Sequence, residues 1–139
     1  MAKVSDCIFC KIIDGTIPSE KIYEDDDVVA MLDISPVTPG HTLVLPRDHA
    51  KDFMSTEADV LAKVFPTVQK IAGQVMKGVK ADGFSMVVFN GAAAGQEVLH
   101  LHIHIIPRKA GDGVRLGWPK AKYAAGEMQK IAEKIRSAT

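Results

Sequence analysis

The hydrophobic positions of the chain divide it into short strands and one long helix. Residues 28–33 and 42–45 are apolar runs separated by the turn-forming segment 35–40, which predicts two antiparallel strands. From Thr56 onward, apolar residues recur at spacings of three and four, which indicates an amphipathic helix. These apolar positions are Leu61, Val64, Phe65, Val68, Ile71, Ala72, Val75 and Met76.

The sequence also indicates where this helix begins, where it could bend, and which elements follow it. Thr56 and Asp59 resemble a capping box at its start, and Pro66 predicts a kink or a restart within it. Residues 84–90 and 98–106 read as two more strands, the second stopped by Pro107, and residues 120–136 as a terminal helix with Ile131 and Ile135 facing inward. Strands adjacent in sequence and one long crossing helix predict an α+β fold with an antiparallel sheet.

Composition sets limits on the class of protein. The 139 residues are 47% hydrophobic and 24% charged, which is typical of a single globular domain over residues 1–139. Lys and Arg together equal Asp and Glu at 17 each, so no global field draws the chain to nucleic acid or to a membrane surface. No signal-peptide pattern or bilayer-length apolar run is present, which predicts a cytoplasmic protein.

Three of the five histidines fall within one pentapeptide. His100, His102 and His104 alternate with apolar residues, so on a strand they share one face at roughly 6.6 Å spacing. Imidazoles in this arrangement suit either a transition metal or chemistry on phosphate. Amide side chains and glycine backbone in the segment 90–96 just upstream favour phosphate, since they offer N–H donors.

The segment 95–106, Gly-Gln-Glu-Val-Leu-His-Leu-His-Ile-His-Ile-Ile, resembles the signature of the histidine triad (HIT) family. Segments 8–13, 23–26, 32–36 and 39–46 are similar to the opening half of that family, so the resemblance covers about residues 5 to 110. It implies a Hint-like protein with an antiparallel sheet of about five strands, one long crossing helix and a C-terminal helix. It also implies a homodimer that binds a small purine nucleotide.

The resemblance assigns roles to individual residues. His102 would be the nucleophile that forms a covalent nucleotidyl-histidine intermediate, with one ring nitrogen bonded to a carbonyl near His100. His104 and Gln96 would steady the phosphate oxygens and the leaving group, so that His100, His102, His104 and Gln96 form the catalytic group. The implied nucleotide-binding residues are Ile8, Phe9, Leu32, Asp33, Ile34, His41, Asn90, Gln96, Glu97, Val98, His102 and His104.

Several of these residues also have structural explanations. Asp33 could cap the turn at Ser35, Phe9 and Ile34 could be packing residues, and Asn90 before Gly91 could belong to a turn. Glu97 departs from the best-known branches of the family, which place serine or threonine at this position. An ionised carboxylate there would repel phosphate, turn away, or carry a proton for the leaving group.

Cys7 and Cys10 are separated by two residues, a spacing typical of metal ligands. Together with His49 and His100 they would form a tetrahedral zinc site of two thiolates and two imidazoles, which resembles the arrangement in many bacterial-type members of the family. The alternative is that both cysteines are buried small hydrophobes. A redox role is disfavoured because no thioredoxin-like βαβ pattern surrounds the pair.

The predicted function is hydrolysis of purine nucleoside phosphoramidates or related adenylylated compounds. Residues 107–112 resemble the branch that splits dinucleoside polyphosphates, whereas Trp118-Pro119 is similar to the phosphoramidase branch. A nucleotide-binding regulatory module with vestigial catalysis is the remaining alternative.

Overall fold

One antiparallel sheet of five strands is the centre of the computed structural model, which describes residues 4–115 and 117–138. The predicted single domain covers residues 1–139, and the prediction about a signal peptide concerns the first residues, so both predictions extend to residues outside the described ranges. The elements, in chain order, are α1 (Ile8–Ile13), β1 (Lys21–Glu24), β2 (Val28–Leu32), β3 (Thr42–Pro46), α2 (Ala58–Gly78), β4 (Gly83–Val87), a 3-10 turn (Ala92–Ala94), β5 (Ile103–Arg108) and α3 (Glu127–Ser137). The predicted α+β fold, with its sheet, long helix and C-terminal helix, is confirmed.

The strands are ordered β1-β2-β3-β5-β4. Consecutive hairpins join the first three strands, α2 then crosses to β4, and β5 returns between β3 and β4. His104 of β5 pairs with Leu43 of β3 on one side and with Val87 of β4 on the other. This topology places the end of the histidine segment in the interior of the sheet rather than at an edge.

Each face of the sheet is covered by a different helix. On one face, apolar residues of α2 pack against Ala30, Val44 and Ile103. On the other, α1 packs against Val29, Met31, Leu43 and Leu45. Side chains alternate along a strand, so the face shared by α1 and Leu43 is also the face of its cross-strand partner His104.

The start of β5 differs from the prediction. A strand over 98–106 was expected, but β5 begins at Ile103 and continues through Pro107 to Arg108. Upstream, the chain turns toward the residues that follow β3: Leu101 N–H donates to Ala50 O (2.8 Å) and His100 Nε2 donates to Pro46 O (2.8 Å). The Pro46 carbonyl therefore accepts a hydrogen bond from the His100 side chain, and residues 98–102 do not form part of the sheet.

The other predicted strands shift only at their ends. The runs predicted over 28–33, 42–45 and 84–90 form β2 at Val28–Leu32, β3 at Thr42–Pro46 and β4 at Gly83–Val87. The short helix α1 and the strand β1 were not predicted, because they span only six and four residues, too few for a periodic pattern to stand out.

The long helix is unbroken through Pro66, so the predicted restart is wrong. The predicted capping box is also absent: the cap residue is Glu57, without a side-chain cap bond, and Thr56 Oγ1 donates to Asp52 O instead (2.7 Å).

The C-terminal helix begins at Glu127 rather than at residue 120. Ile131 is half-buried, but Ile135 is 69% exposed, so the prediction that both face inward is wrong for Ile135. Among the described residues, the apolar side of α3 is therefore covered only in part. Within the described residues, no helix combines the length and apolar character needed to cross a bilayer.

Candidate active site and metal centre

The histidine segment opens onto a pocket of about 480 Å³ on the α1 side of the sheet. Residues from α1, the β2–β3 connection and the loop before β5 form its walls. Its lining contains Ile8, Phe9, Ile12, Ile17, Pro18, Ser19, Met31, Leu32, Asp33, Ile34, Ser35, Leu43, Phe89, Gly95, Glu97, Val98, His102 and His104. The structure therefore brings together nine of the predicted nucleotide-binding residues: Ile8, Phe9, Leu32, Asp33, Ile34, Glu97, Val98, His102 and His104.

The ring of His102 is fixed in one orientation. Its Nδ1 lies 2.7 Å from the backbone oxygen of His100, and because a carbonyl can only accept, Nδ1 carries the proton. Phe9 packs edge-on against the ring with 4.9 Å between centroids. The unprotonated Nε2 keeps its lone pair, which is the form of imidazole that acts as a nucleophile.

His104 is oriented by a chain of donors that ends in the pocket. Val37 N–H donates to His41 Nδ1 (3.0 Å), so the proton of neutral His41 is on Nε2. That Nε2 lies 2.9 Å from His104 Nδ1 and donates to it. His104 consequently carries its own proton on Nε2, where it is available to a ligand oxygen.

Burial keeps these rings neutral. Desolvation lowers the pKa of His102, and bonding of its Nδ1–H to the His100 carbonyl opposes that shift. For His104, burial is again the largest cause, followed by the positive charges that His102 and His41 would carry, and the pKa falls to about 4. The pKa of His41 is lowered by burial, against the attraction of Asp33. At neutral pH the site thus presents a lone pair and a donor rather than cations.

Gln96 does not reach the pocket as predicted. Its Oε1 accepts from Gly91 N–H (2.9 Å), and its Nε2 donates to the carbonyls of Lys51 (2.7 Å) and Val98 (3.0 Å). All of these bonds hold the loop in shape. Gln96 is therefore a buried support beneath the loop, because its amide hydrogens are already used inside the protein.

The predicted phosphate donors of this loop are similarly occupied. Gly95 N–H donates to Ala92 O (3.0 Å) and Gln96 N–H donates to Gly91 O (3.1 Å). Asn90 Oδ1 accepts from Phe53 N–H (2.8 Å), which ties the loop to the segment before α2, and Asn90 is not part of the pocket wall. The backbone donors of Gly91 and Gly95 are thus bonded within the loop, whereas, among the described residues, the Asn90 side chain is held through its carbonyl oxygen only.

One end of the pocket is apolar and partly open. Phe9 is buried beneath it, whereas Ile8 and Leu32 are partly exposed and Ile34 is 94% exposed at its rim. Apolar side chains held in solvent around a cleft favour a flat, weakly hydrated ligand. Asp33 combines two roles: Oδ1 accepts from Ser35 N–H (2.8 Å), as a turn cap does, and its side chain also lines the pocket.

The charge of the pocket is negative. Glu97 and Asp33 both line it, and among the described lining residues no lysine or arginine is present. Glu97 is exposed, and the attraction of its carboxylate is among the smaller effects on the pKa of His102. Arg108, which is close in sequence, instead forms two hydrogen bonds to Asp112, at 2.8 and 2.9 Å.

The four predicted metal ligands meet beside this pocket. The donor atoms of Cys7, Cys10, His49 and His100 all lie within 4.8 Å of one another. His100 Nε2 donates to Pro46 O, which leaves the lone pair of Nδ1 facing the two sulfurs. Burial lowers the pKa of His100 to about 4, so the ring is neutral. A metal-binding imidazole is neutral in this way, and its other ring nitrogen donates to a carbonyl that orients the ring, as Nε2 of His100 does to Pro46.

The distances in this cluster match a tetrahedral zinc ion. Cys7 Sγ and Cys10 Sγ lie 3.5 and 3.6 Å from His100 Nδ1, and Cys10 Sγ lies 3.5 Å from His49 Nδ1. Zinc bonds of roughly 2.3 Å to sulfur and 2.0–2.1 Å to nitrogen at tetrahedral angles separate S and N by about 3.6 Å. The residues therefore fit zinc without rearrangement.

A second cluster of possible ligands, Asp33, His41 and His104, is equally close but unsuited to a metal. The donor chain from Val37 uses the lone pairs of His41 Nδ1 and His104 Nδ1 as acceptors. The nitrogen of His41 that faces the cluster carries a proton. A metal there would have to displace this bond chain.

Several pocket residues were not predicted. Ile12 belongs to the unpredicted helix α1, and Ile17, Pro18 and Ser19 lie between it and β1. Phe89 was predicted only as a strand residue. The apolar spacing of Phe9, Ile12 and Ile13 could have indicated α1, but no sequence signal marked Ser19.

The chain is similar to known proteins over almost all of its length. A family model described as HIT domain matches residues 14–111. An uncharacterized HIT-like protein of Methanocaldococcus jannaschii is 50% identical over 130 residues, covering 94% of this chain and 98% of that protein. The adenosine 5'-monophosphoramidase HNT1 of Candida albicans is 34% identical over 142 residues, covering 98% and 93%.

Solved structures agree in fold. A HIT family member from Bacillus subtilis has a TM-score of 0.89 at 40% identity, covering 97% of this chain and 98% of that chain. A zinc-bound histidine triad family protein from Mycobacterium smegmatis has a TM-score of 0.76 at 34% identity, covering 96% and 98%.

The lowered pKa of His104 predicts a pH dependence of folding stability. Above pH 6.5 the ring is neutral in both states, whereas between pH 6.5 and about 4 the unfolded chain binds a proton that the folded chain excludes. The free energy of unfolding should therefore decrease as the pH falls through this window, by on the order of 1 kcal/mol at pH 5 for this half-buried group. Urea unfolding at pH 7, 6 and 5 measures it.

The variant His104→Asn is the control for this dependence. Its amide oxygen can still accept from His41, but it does not titrate, so the variant should lose less stability between pH 7 and 5 than the wild type. An equal loss in both proteins would contradict the assignment to His104.

Proposed function

The chain belongs to the histidine triad (HIT) family, and on that premise we propose that it is a Hint-like nucleotidyl hydrolase. Its substrates in this proposal are purine nucleoside phosphoramidates or related adenylylated compounds. One observation carries the proposal: His102 lines the pocket as a neutral ring whose Nδ1–H is held by the His100 carbonyl, leaving the Nε2 lone pair.

The first chemical step is attack of His102 Nε2 on the α-phosphorus. A nitrogen–phosphorus bond forms as the bond from phosphorus to the leaving amine breaks, and the amine departs with that electron pair and takes up a proton. Solvent supplies this proton, and Glu97, a carboxylate of the pocket wall, is suited to relay it from water to the amine. His104 Nε2–H donates to a phosphate oxygen, whose charge is redistributed during transfer.

The second step releases the nucleotide. Water attacks the phosphorus of the nucleotidyl-histidine, the bond to His102 Nε2 breaks with its electrons returning to the ring, and the water proton leaves to the buffer or Glu97. Because Nδ1–H remains bonded to the same carbonyl throughout, the ring returns in the tautomer it began with. In this proposal the apolar rim holds the base, and Asp33 accepts from the ribose hydroxyls.

The charge of the pocket favours phosphoramidates over dinucleoside polyphosphates. A polyphosphate leaving group carries several negative charges, but Glu97 and Asp33 are the charged residues of the described pocket wall. Arg108, in the segment that resembles the polyphosphate branch, is bonded to Asp112. The Candida albicans relative named as a monophosphoramidase supports the same choice.

We also propose that Cys7, Cys10, His49 and His100 hold a structural zinc ion. The distances between their donor atoms support it, as does the zinc-bound relative from Mycobacterium smegmatis. When bound, the ion would link α1 to His100, two residues before His102. All four coordination positions of the zinc ion would be occupied by protein side chains, as in structural zinc sites.

The unit of function in this proposal is a homodimer of single domains, residues 1–139, in the cytoplasm. Its support is uncovered apolar surface: Phe84 and Met86 are 43% and 52% exposed on the edge strand β4, beside a groove against Phe65. Exposed edge strands and apolar patches favour association. Sedimentation equilibrium at micromolar concentration tests it, and a monomeric mass would reject it.

Replacement of His102 tests the mechanism. We expect His102→Ala to lower turnover of adenosine 5′-phosphoramidate by at least about 10³-fold, since no other ring offers an oriented lone pair, while affinity for AMP changes only a few-fold. Steady-state kinetics and calorimetry measure the two effects, and quenching with denaturant at alkaline pH, where the phosphorus–nitrogen bond to histidine survives, should trap adenylylated protein only in the wild type.

His102→Asn is the size-matched comparison and should be equally inactive. Turnover retained in both variants would overturn the role of His102. A wild-type protein that binds AMP but turns over no phosphoramidate, adenylylated compound or dinucleoside polyphosphate would instead support a regulatory nucleotide-binding module.

The role of Glu97 is tested by substrate preference. Removal of one negative charge near the reacting phosphorus in Glu97→Gln should raise kcat/KM for diadenosine triphosphate relative to adenosine phosphoramidate, by about 3- to 10-fold. Asp26→Asn, an exposed carboxylate outside the pocket wall, should leave the ratio unchanged. A wild type that prefers the triphosphate would overturn the proposed substrate class.

The metal proposal predicts one zinc ion per chain in purified protein by elemental analysis. Cys10→Ser should lose most of the zinc and lower the thermal midpoint, because the ion stabilises the folded state. His104→Asn, outside the four ligands, should retain it. Folded wild-type protein without zinc would reject the site.

A further inference from the structure

Ser19 is the one described residue with a buried side-chain oxygen or nitrogen that lacks a hydrogen-bond partner. A buried hydroxyl without a partner costs free energy, because it has given up its bonds to water and gained none in return. Native proteins keep few such groups, and each one calls for an explanation. The position of Ser19 supplies one, since this residue lines the nucleotide pocket.

The chain around Ser19 is fixed on both sides. Ile17 N–H donates to Lys11 O (3.1 Å), which attaches the segment to α1. Leu32 N–H donates to Glu20 O (2.9 Å), which attaches it to the end of β2. Pro18 restricts the backbone directly before Ser19. The backbone of Ser19 is therefore held in place, and its hydroxyl can move only by rotation about χ1.

Ser19 lies far from the reacting histidine across the sheet. It precedes β1 by two residues, and three inter-strand steps separate β1 from β5 and His104 in the strand order. At about 4.8 Å per step this is roughly 14 Å, the scale of an extended nucleoside monophosphate. With the α-phosphorus at His102, the other end of such a ligand is its base.

The surroundings of Ser19 are apolar. Ile12, Ile17 and Met31 line the same part of the pocket wall, while the charged and imidazole groups come from other segments. A single hydroxyl among apolar side chains can both donate and accept, which suits the polar edge of a heterocycle. Apolar walls contact the faces of a base but do not read its edge.

We propose that Ser19 is a specificity-determining residue whose hydroxyl hydrogen-bonds to the edge of the purine base. This inference rests on the proposed function, since it assumes that the pocket holds a nucleotide with its phosphate at His102. In the free protein the hydroxyl is turned away from solvent and has no partner among the described residues; rotation about χ1 turns it into the pocket that Ser19 lines, where the base supplies the partner. A site with a buried unpaired polar group discriminates against ligands that cannot pair it.

Calorimetry with two probes, AMP and ribose 5-phosphate, tests the inference. Ser19→Ala should weaken binding of AMP by about 2- to 12-fold, the range for one neutral hydrogen bond, and leave binding of ribose 5-phosphate unchanged. The thermal midpoint of the ligand-free variant should stay the same or rise, because the hydroxyl has no partner in the free protein.

Ser19→Cys is the matched variant, because it keeps nearly the same volume with a much weaker donor and should behave as Ser19→Ala does. Equal weakening of both probes, unchanged AMP binding, or a clear fall in the midpoint of the ligand-free protein would overturn the inference and assign Ser19 to the fold. Wild-type protein that binds neither probe would overturn the proposed function instead, and these results are distinguishable.

Discussion

The hydrogen bonds of His100 are the constraint on which the rest of the site depends. Its side chain is fully buried, Nε2 donates to the carbonyl of Pro46, and Nδ1 faces the sulfurs of Cys7 and Cys10. Its backbone oxygen accepts from Nδ1 of His102. One residue thus joins the end of β3, the cysteine cluster and His102, and no other residue of the triad makes all three contacts.

Burial keeps the imidazole rings neutral, so their nitrogens act as lone-pair or N–H groups rather than as cations. Because desolvation disfavours charged imidazole, the rings of the triad stay neutral, and each ring places its one proton where its partner requires it. Val37 sets the tautomer of His41, and His41 sets that of His104. Under the proposed function, the three histidines therefore have three different roles: a metal ligand, a nucleophile and a donor to phosphate.

The pocket obtains its selectivity from what surrounds those rings. Carboxylates rather than lysines or arginines accompany the histidines in its described wall, and Arg108 is bonded to Asp112. Electrostatic attraction to phosphate is therefore weak, and orientation by apolar walls and a few hydrogen bonds must contribute more. Under the proposed function, this balance favours ligands with one phosphate over ligands with several.

The sequence by itself determined the elements and the chemistry that local pattern encodes. Periodicity predicted four of the five strands and α2, though not β1 or the start of β5, and the spacing of His100, His102 and His104 and of Cys7 and Cys10 marked these residues as candidates for the site. Tertiary structure alone decided which partner each polar group bonds: it turned Gln96 beneath its loop, began β5 at Ile103 and left Ser19 unpaired. Those outcomes depend on carbonyls and cavities contributed by distant segments, and spacing along one segment carries no record of them.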